Sequence, residues 1–420
     1  MSNHFCVGCD LTKTIYSYWV KIDQANDDGR LIETMSTTAM KYTSNKGHKL
    51  RMEQVFRNVM KRVIENNSAE GDMFYKIACI YDGNSCLYTS EQLPMNAERK
   101  YKSRNHLSES TTYRSSDDNQ DFEVEIKLVD KLRLQSIKNY YENPVNNAPS
   151  ETIRSINLVV RELLLSMRFL VGRSSFHNRA ETRPSISALK EISYGVFSSV
   201  QAFTYCLQLI IDRSCVPFIK SLSGDEAIRA FMREMKAPRW NEFTRRNFEN
   251  ELKNYWFEVT HLPSPRRYKI GGITLESANR TTFRSQEEDR RPIIVAEYFA
   301  ERYRSLVYPD LACLKVRRPD DFNYYPMEVC RIIPDQRANN LTVKEKADMI
   351  RNTSSVTPSK RFDIIRSTAC ELKARDSTLH YLRDFGVNLA TSPVAIKARV
   401  LDPPKLIEGR HAEVRLNGGK

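Results

Sequence analysis

Residues 260–270 read THLPSPRRYKI. One imidazole (His261), two guanidiniums (Arg266 and Arg267) and one phenol (Tyr268) fall within eight positions, and Pro263 and Pro265 stiffen the backbone between them. Guanidinium and phenol donors suit phosphate oxygens. The surrounding window deepens the pattern: residues 255–325 hold 12 aromatics in 71 positions, seven of them tyrosine, alongside 12 Lys+Arg and ten Asp+Glu. That is a higher aromatic share than the 10% of the whole chain. Tyrosine offers a flat apolar face and a hydroxyl that needs a partner. Aromatic rings interleaved with arginines suit single-stranded nucleic acid, whose bases stack on the rings for roughly 1–3 kcal/mol each. Against this, Trp256, Phe257 and Phe299 are spaced as core residues, Tyr255 fits either role, and a single histidine such as His261 is ordinarily a satisfied loop residue.

The chain frames these residues. Its 420 residues allow two to four domains with substantial cores. Mean hydropathy is −0.54, and no run of about 18 uncharged apolar residues suggests a membrane span. The N-terminus lacks a charged start followed by an apolar stretch, so no secretory signal is expected. Nine scattered cysteines predict reduced thiols of the cytosol or nucleus. Cys6 and Cys9, with His4 nearby, form one C-x-x-C without the second ligand pair that structural zinc needs, so neither metal nor cofactor is expected. Net charge is +13, and it is unevenly placed: residues 1–150 hold 20 basic and 20 acidic side chains, residues 151–420 hold 45 and 32. The excess points to a polyanion, nucleic acid first and an anionic membrane surface as the rival, and no membrane partner is expected.

The elements that must position the aromatic window follow from periodicity. Alternation predicts strands over LTKTIYSYWVKI, MFYKIACIYDG and DFEVEIKLV, and Met52, Val55, Phe56, Val59, Met60 and Val63 mark a helix between the first two. The Ser-rich, aliphatic-poor stretch 98–121 reads as a mobile loop. A helix with Ile153, Ile156, Val160 and Met167 on one face follows a turn cluster at 146–150. VGRSSF and EISYGVFSSVQ read as strands or loops. Ser223 with Glu226 three residues on is a capping-box pattern that opens another helix, and WNEFTRRNFENELKN reads as the next. Short β-rich pieces separated by turns then fill 255–325, as in a small barrel or sandwich. They are interrupted by a helix whose Val295, Phe299 and Arg302 share a side, with Tyr298 four residues before Arg302. Two more helices, over TVKEKADMIRNT and SKRFDIIRSTACELKA, follow.

Several motifs, in order, resemble one family. YPDLACLKVRR…YYPMEVCRIIPDQR resembles the end of the PAZ domain of an Argonaute protein, MRFLVGRSSF its first linker, ADMIRNTSSVTP and LRDFGVNL its second, and RVLDPPKL the segment before the MID domain. The resemblance covers about residues 150–410. It implies an α+β multidomain chain: an N-like domain over 1–140, linker 1 over 141–216, a PAZ domain over 217–337 and linker 2 over 338–420. The PAZ domain would be a small OB-like barrel with an inserted hairpin-helix module, holding the 3′ end of a single-stranded small RNA in RNA-mediated silencing. By resemblance, His261, Arg266, Tyr268, Tyr298 and Tyr303 surround the terminal phosphates and ribose, and Phe283 packs on the last base. Tyr324 and Tyr325 form floor and wall, the latter in place of the commoner leucine. Arg267, Arg302 and Tyr308 are edge contacts, and Ile350 enters the guide's base stack from linker 2.

The chain ends about where MID and PIWI would begin, so no slicing is expected of it. A monomer acting in the cytoplasm, and in the nucleus as well, is the expectation. Two alternatives stand beside this reading: a scaffold or competitor of full-length Argonautes with an idle pocket, and the PAZ-containing part of a Dicer-like nuclease.

Overall fold

The computed structural model describes residues 2–25, 31–36, 46–94, 98–105, 120–143, 147–171, 174–263, 266–284, 292–317, 322–354, 356–395, 406–408 and 412–414. Strand β1 (His4–Cys9) is followed by β2 (Thr14–Ala25), β3 (Leu31–Ser36), helix α1 (Lys46–Asn66), β4 (Cys79–Tyr81), β5 (Cys86–Thr89), β6 (Glu98–Asn105) and β7 (Gln120–Arg133). All but β1 build one antiparallel sheet in the order β4-β5-β2-β7-β6, with β3 on β2. The helical stripe Phe56, Val59, Met60 and Val63 buries itself against the alternating Tyr18, Val20, Ile22, Val124 and Ile126, as 3.6- and 2-residue periods require. The stretch expected as a loop over 98–121 is in part a strand: Glu98–Asn105 pairs residue for residue with 120–127 of β7. Its charged sequence suits a sheet edge, where Lys and Arg discourage further pairing. Residues 106–119 lie outside the described residues. The strand expected over 73–83 shrinks to Cys79–Tyr81, because Lys76 takes a positive φ of 55° in the preceding turns.

Helices α2 (Gln135–Glu142) and α3 (Ser150–Leu165) lead into β8 (Phe169–Val171), β9 (Ser175–His177), β10 (Lys190–Ala202) and β11 (Leu207–Ile219). Ile156 and Val160 of α3 are buried, and Met167, two residues past the helix end, still packs on the same core. The central sheet runs in the order β20-β1-β11-β10-β9-β8, with β20 at Val387–Pro393, and so draws strands from the start, middle and end of the chain.

A third module follows. Helix α4 (Gly224–Glu234) opens on the capping box, with Ser223 accepting from Glu226 N–H and the Glu226 carboxylate accepting from Ser223 N–H. Helix α5 (Glu242–Leu252) is capped by Asn241. Then come β12 (Trp256–Val259), β13 (Arg267–Lys269), β14 (Gly272–Ser277), β15 (Thr282–Arg284), β16 (Pro292–Ile294), helix α6 (Val295–Arg302), β17 (Ala312–Arg317), β18 (Phe322–Pro326) and β19 (Cys330–Ile332). These pair as two three-stranded sheets, β13-β12-β19 and β14-β17-β18, with β15-β16 as a separate hairpin. Both sheets share one core around Phe257, Ile273, Phe299 and Leu314. No closed barrel is found among the described residues. The chain instead turns from one sheet to the other at Ile270–Gly271, where Gly271 N–H donates to Lys315 O (2.8 Å) and a Cβ would sit 3.2 Å from that oxygen.

The module enters and leaves through one seam: Ile219 N–H donates to Gln336 O and Ala338 N–H to Pro217 O. Helices α7 (Val343–Ser354), α8 (Pro358–Leu379) and α9 (Tyr381–Asp384) and strand β20 (Val387–Pro393) complete the fold. Ile365, Ala369 and Leu372 of α8 close the central core.

Candidate nucleic-acid interface

The β12–β13 pair aligns Phe257 with Tyr268 and Glu258 with Arg267. Phe257 points into the core, while Tyr268 is half-buried at its rim. From the other sheet, Tyr325 of β18 brings its ring onto Tyr268, with centroids 5.0 Å apart and planes 24° from parallel. This stacked pair therefore spans the two sheets.

His261 follows β12 directly. Its ring meets Tyr303 at 4.6 Å, Phe299 at 5.1 Å and Tyr325 at 6.4 Å. Helix α6 supplies the next rings. Phe299 faces the core at 3% exposure, and its neighbour Tyr298 turns outward to meet Phe283 of β15 edge-on at 5.2 Å and 88°. Tyr303 caps α6 and is 44% exposed. Tyr298 and Tyr303 lie 6.3 Å apart. The result is an unbroken line, Phe283–Tyr298–Tyr303–His261–Tyr325–Tyr268, each step within the 4.5–7 Å range of favourable aromatic pairs.

Electrostatics follow from this enclosure. Burial among rings, and then the positive charge of Arg304, hold the His261 imidazole below its usual pKa, so it is neutral at neutral pH. Its Nδ1 is buried and finds no hydrogen-bond partner among the described residues. A neutral imidazole has one donor and one acceptor to offer.

The remaining predicted residues are distributed differently. The Arg302 guanidinium lies 5.6 Å over the Tyr298 ring, the second ring of the line. Arg266 is exposed, and its carbonyl accepts from Val259 N–H (2.9 Å). Arg267 faces Glu258 across the ladder, 3.5 Å away. Tyr324 precedes Tyr325 on β18 and, like it, is half-buried against the core of the third module. Tyr308 lies under the guanidinium of Arg229 from α4, at 4.0 Å, and its backbone N–H donates to the Glu328 carboxylate. Ile350 on α7 is 63% exposed. Arg304 is absent from the predicted set although it tunes His261; its only sequence signal is its place two residues beyond Arg302 in ERYRSL.

Comparison with known proteins gives the frame. Residues 1–160 match the N-terminal domain of argonaute, and residues 228–352 match the PAZ domain. The chain is 28% identical over 334 residues to protein argonaute 1B of Oryza sativa subsp. japonica, covering 78% of this chain and 29% of that protein. The structure of Kluyveromyces polysporus Argonaute with a guide RNA superposes with a TM-score of 0.50 at 14% identity, over 93% of this chain and 44% of that one. A Drosophila Ago-PAZ domain in complex with 3′-end 2′-O-methylated RNA is 27% identical over 27% of this chain and 99% of its own, with a TM-score of 0.23. This chain thus spans less than half the length of the rice and Kluyveromyces proteins.

Proposed function

We propose, from a chain that belongs to the Argonaute family and carries its N-terminal and PAZ domains in order, that the aromatic line holds the 3′ end of a single-stranded small RNA. The observation that carries this reading is the line itself: six rings from both sheets, the hairpin and α6 converge without a break. Ordinary core packing requires Phe257 and Phe299 but not a row of partly exposed tyrosines above them. In this reading Phe283 takes the terminal base on its face, and the hydroxyls of Tyr298, Tyr303 and Tyr268 donate to phosphate and ribose oxygens. Arg266 and Arg302 add positive charge, and neutral His261 contributes one hydrogen bond. Arg267 and Tyr308 act further out, Tyr324 stands beside Tyr325 on β18, and Ile350 meets the guide from α7. Contacts to the chain end and ribose, with stacking, give little base preference.

The role assigned is binding and not cleavage, in silencing within the cytoplasm or nucleus. We take the two three-stranded sheets as the halves of an OB-like barrel, and divide the chain into 1–140, 141–216, 217–337 and 338–420. The N-terminal argonaute match over 1–160 favours this over a Dicer-like nuclease. The test is a Tyr298→Ala/Tyr303→Ala double variant, followed by its affinity for single-stranded RNA. Weakened binding of a free 3′ end with the fold retained supports the pocket; unchanged affinity removes it and leaves the scaffold reading.

A further inference from the structure

The two cysteines of the N-terminal C-x-x-C are not placed to act on one ligand. They stand three apart on β1, and odd spacing in a strand sends side chains to opposite faces. Cys9 packs on the central core. Cys6 faces the β10–β11 hairpin instead, where its Sγ lies 3.5 Å from the Sγ of Cys206, 200 positions away in sequence. The register explains the meeting. Cys6 pairs with Gln208, so Cys206 is its diagonal neighbour on the same face, within reach of a side chain. Regular ladder pairs from His4 to Val7, the Ile211 N–H donating to Asn3 O (3.1 Å) and the His4 ring 4.8 Å from Phe203 fix the backbone around both thiols. Both cysteines are half-buried.

We propose that Cys6 and Cys206 are a modification site: a reversible disulfide formed on oxidation by a peroxide, which pins β1 to the β10–β11 hairpin. The chemistry balances. One thiolate attacks a peroxide oxygen and breaks the O–O bond, becoming a sulfenic acid while one water leaves after protonation. The second thiolate attacks that sulfur, the S–S bond forms, and the sulfenic oxygen leaves as a second water. Two thiols and one hydrogen peroxide give one disulfide and two waters; the sulfurs lose the two electrons that the peroxide gains. Burial, and then the adjoining Cys206 sulfur, hold the Cys6 thiol above its ordinary pKa, so the reaction quickens as pH rises. The site sits where the seam matters: β1 lies between β11 and β20, so the bond fixes the strand that joins the middle of the chain to its end.

The experiment treats the full chain with hydrogen peroxide without denaturant, in a Cys370→Ser background because Cys370 is exposed. Mass mapping of proteolytic fragments is expected to recover Cys6 linked to Cys206. The product should run faster on a non-reducing gel, and dithiothreitol should reverse both results. Adding Cys6→Ser, or Cys206→Ser where the first does not fold, should abolish the gel shift. A cross-link from Cys6 to Cys9, no Cys6–Cys206 peptide from folded protein, or a gel shift that survives Cys206→Ser would overturn the proposal.

Discussion

Lys190→Met isolates the contact that ties three parts of the molecule together. Lys190 on β10 is fully buried. Its Nζ lies 2.6 Å from Glu251 on α5 and 3.0 Å from Glu345 on α7, and it donates to Asn340 O. Burial opposes charge on Lys190 and Glu345, but their partners win. The two carboxylates hold Lys190 above its ordinary range, and Thr342 N–H with Lys190 holds Glu345 below its own. Methionine keeps the aliphatic stem and deletes the cation. Glu251 is a quarter exposed and turns to water, but Glu345 is not. Its least costly response is to take a proton. From an ordinary pKa of 4.5, three pH units near pH 7.5 cost about 4 kcal/mol at 1.36 kcal/mol per unit, in line with about 3–5 kcal/mol for breaking a buried pair.

The sign with pH is fixed. In the variant the folded-state pKa of Glu345 rises above its unfolded value, so folding takes up a proton and the deficit shrinks as pH falls. It drops to about 1.4 kcal/mol near pH 5.5. Because several domains need not unfold together, the assay is native-state hydrogen exchange of β10 and first-turn α7 amides at both pH values. Glu345→Gln added to the variant should recover at least half the loss. A deficit below about 1 kcal/mol near pH 7.5, or an equal one at both pH values, would refute the reasoning.

Two further outcomes are expected. His177 on β9 is fully buried between Ser175 (2.9 Å) and Ser193 (3.0 Å), and burial pushes it down to about 4. Between pH 6.5 and 5 only the unfolded state binds the proton, so stability of the central sheet falls by about 2 kcal/mol on acidification; exchange protection in His177→Gln should show a shallower slope there. Phe283→Ala should weaken RNA binding by about 1–3 kcal/mol in a titration with the melting profile unchanged, since Phe283 is half-buried at the edge of the third core; loss of folding would place the ring in the core instead.

Local order was legible because its causes are local. The α1 stripe, the Ser223–Glu226 box and the alternation of β2 each lie within a few residues, and each appears in the fold. The charged β6 hides because its sequence, ERKYKSRN, carries no apolar alternation, and only its pairing with β7 reveals it as a strand. Leu207–Ile219 hides for the opposite reason: as an inner strand it is buried at consecutive positions at both ends, which blurs the period-2 signal. At the candidate site, composition singled out the window in which the aromatic line lies, and the residues named by resemblance include its six rings. What sequence could not divide was adjacent or distant choices. Tyr325 rather than Tyr324 stacks on Tyr268, Arg267 is engaged by Glu258, and Tyr308 lies with Arg229. Register and packing decide those contacts, and neither is a property of a short window.

The central claim rests most directly on one comparison. Fluorescence anisotropy at fixed salt would follow a 5′-labelled single-stranded RNA with a free 3′ hydroxyl, and the same RNA with a bulky blocked 3′ end. The account predicts clearly tighter binding of the free end, because the ring line must enclose the terminal nucleotide. Equal affinity for the two would contradict it, leaving only the general attraction of a chain carrying +13 charges.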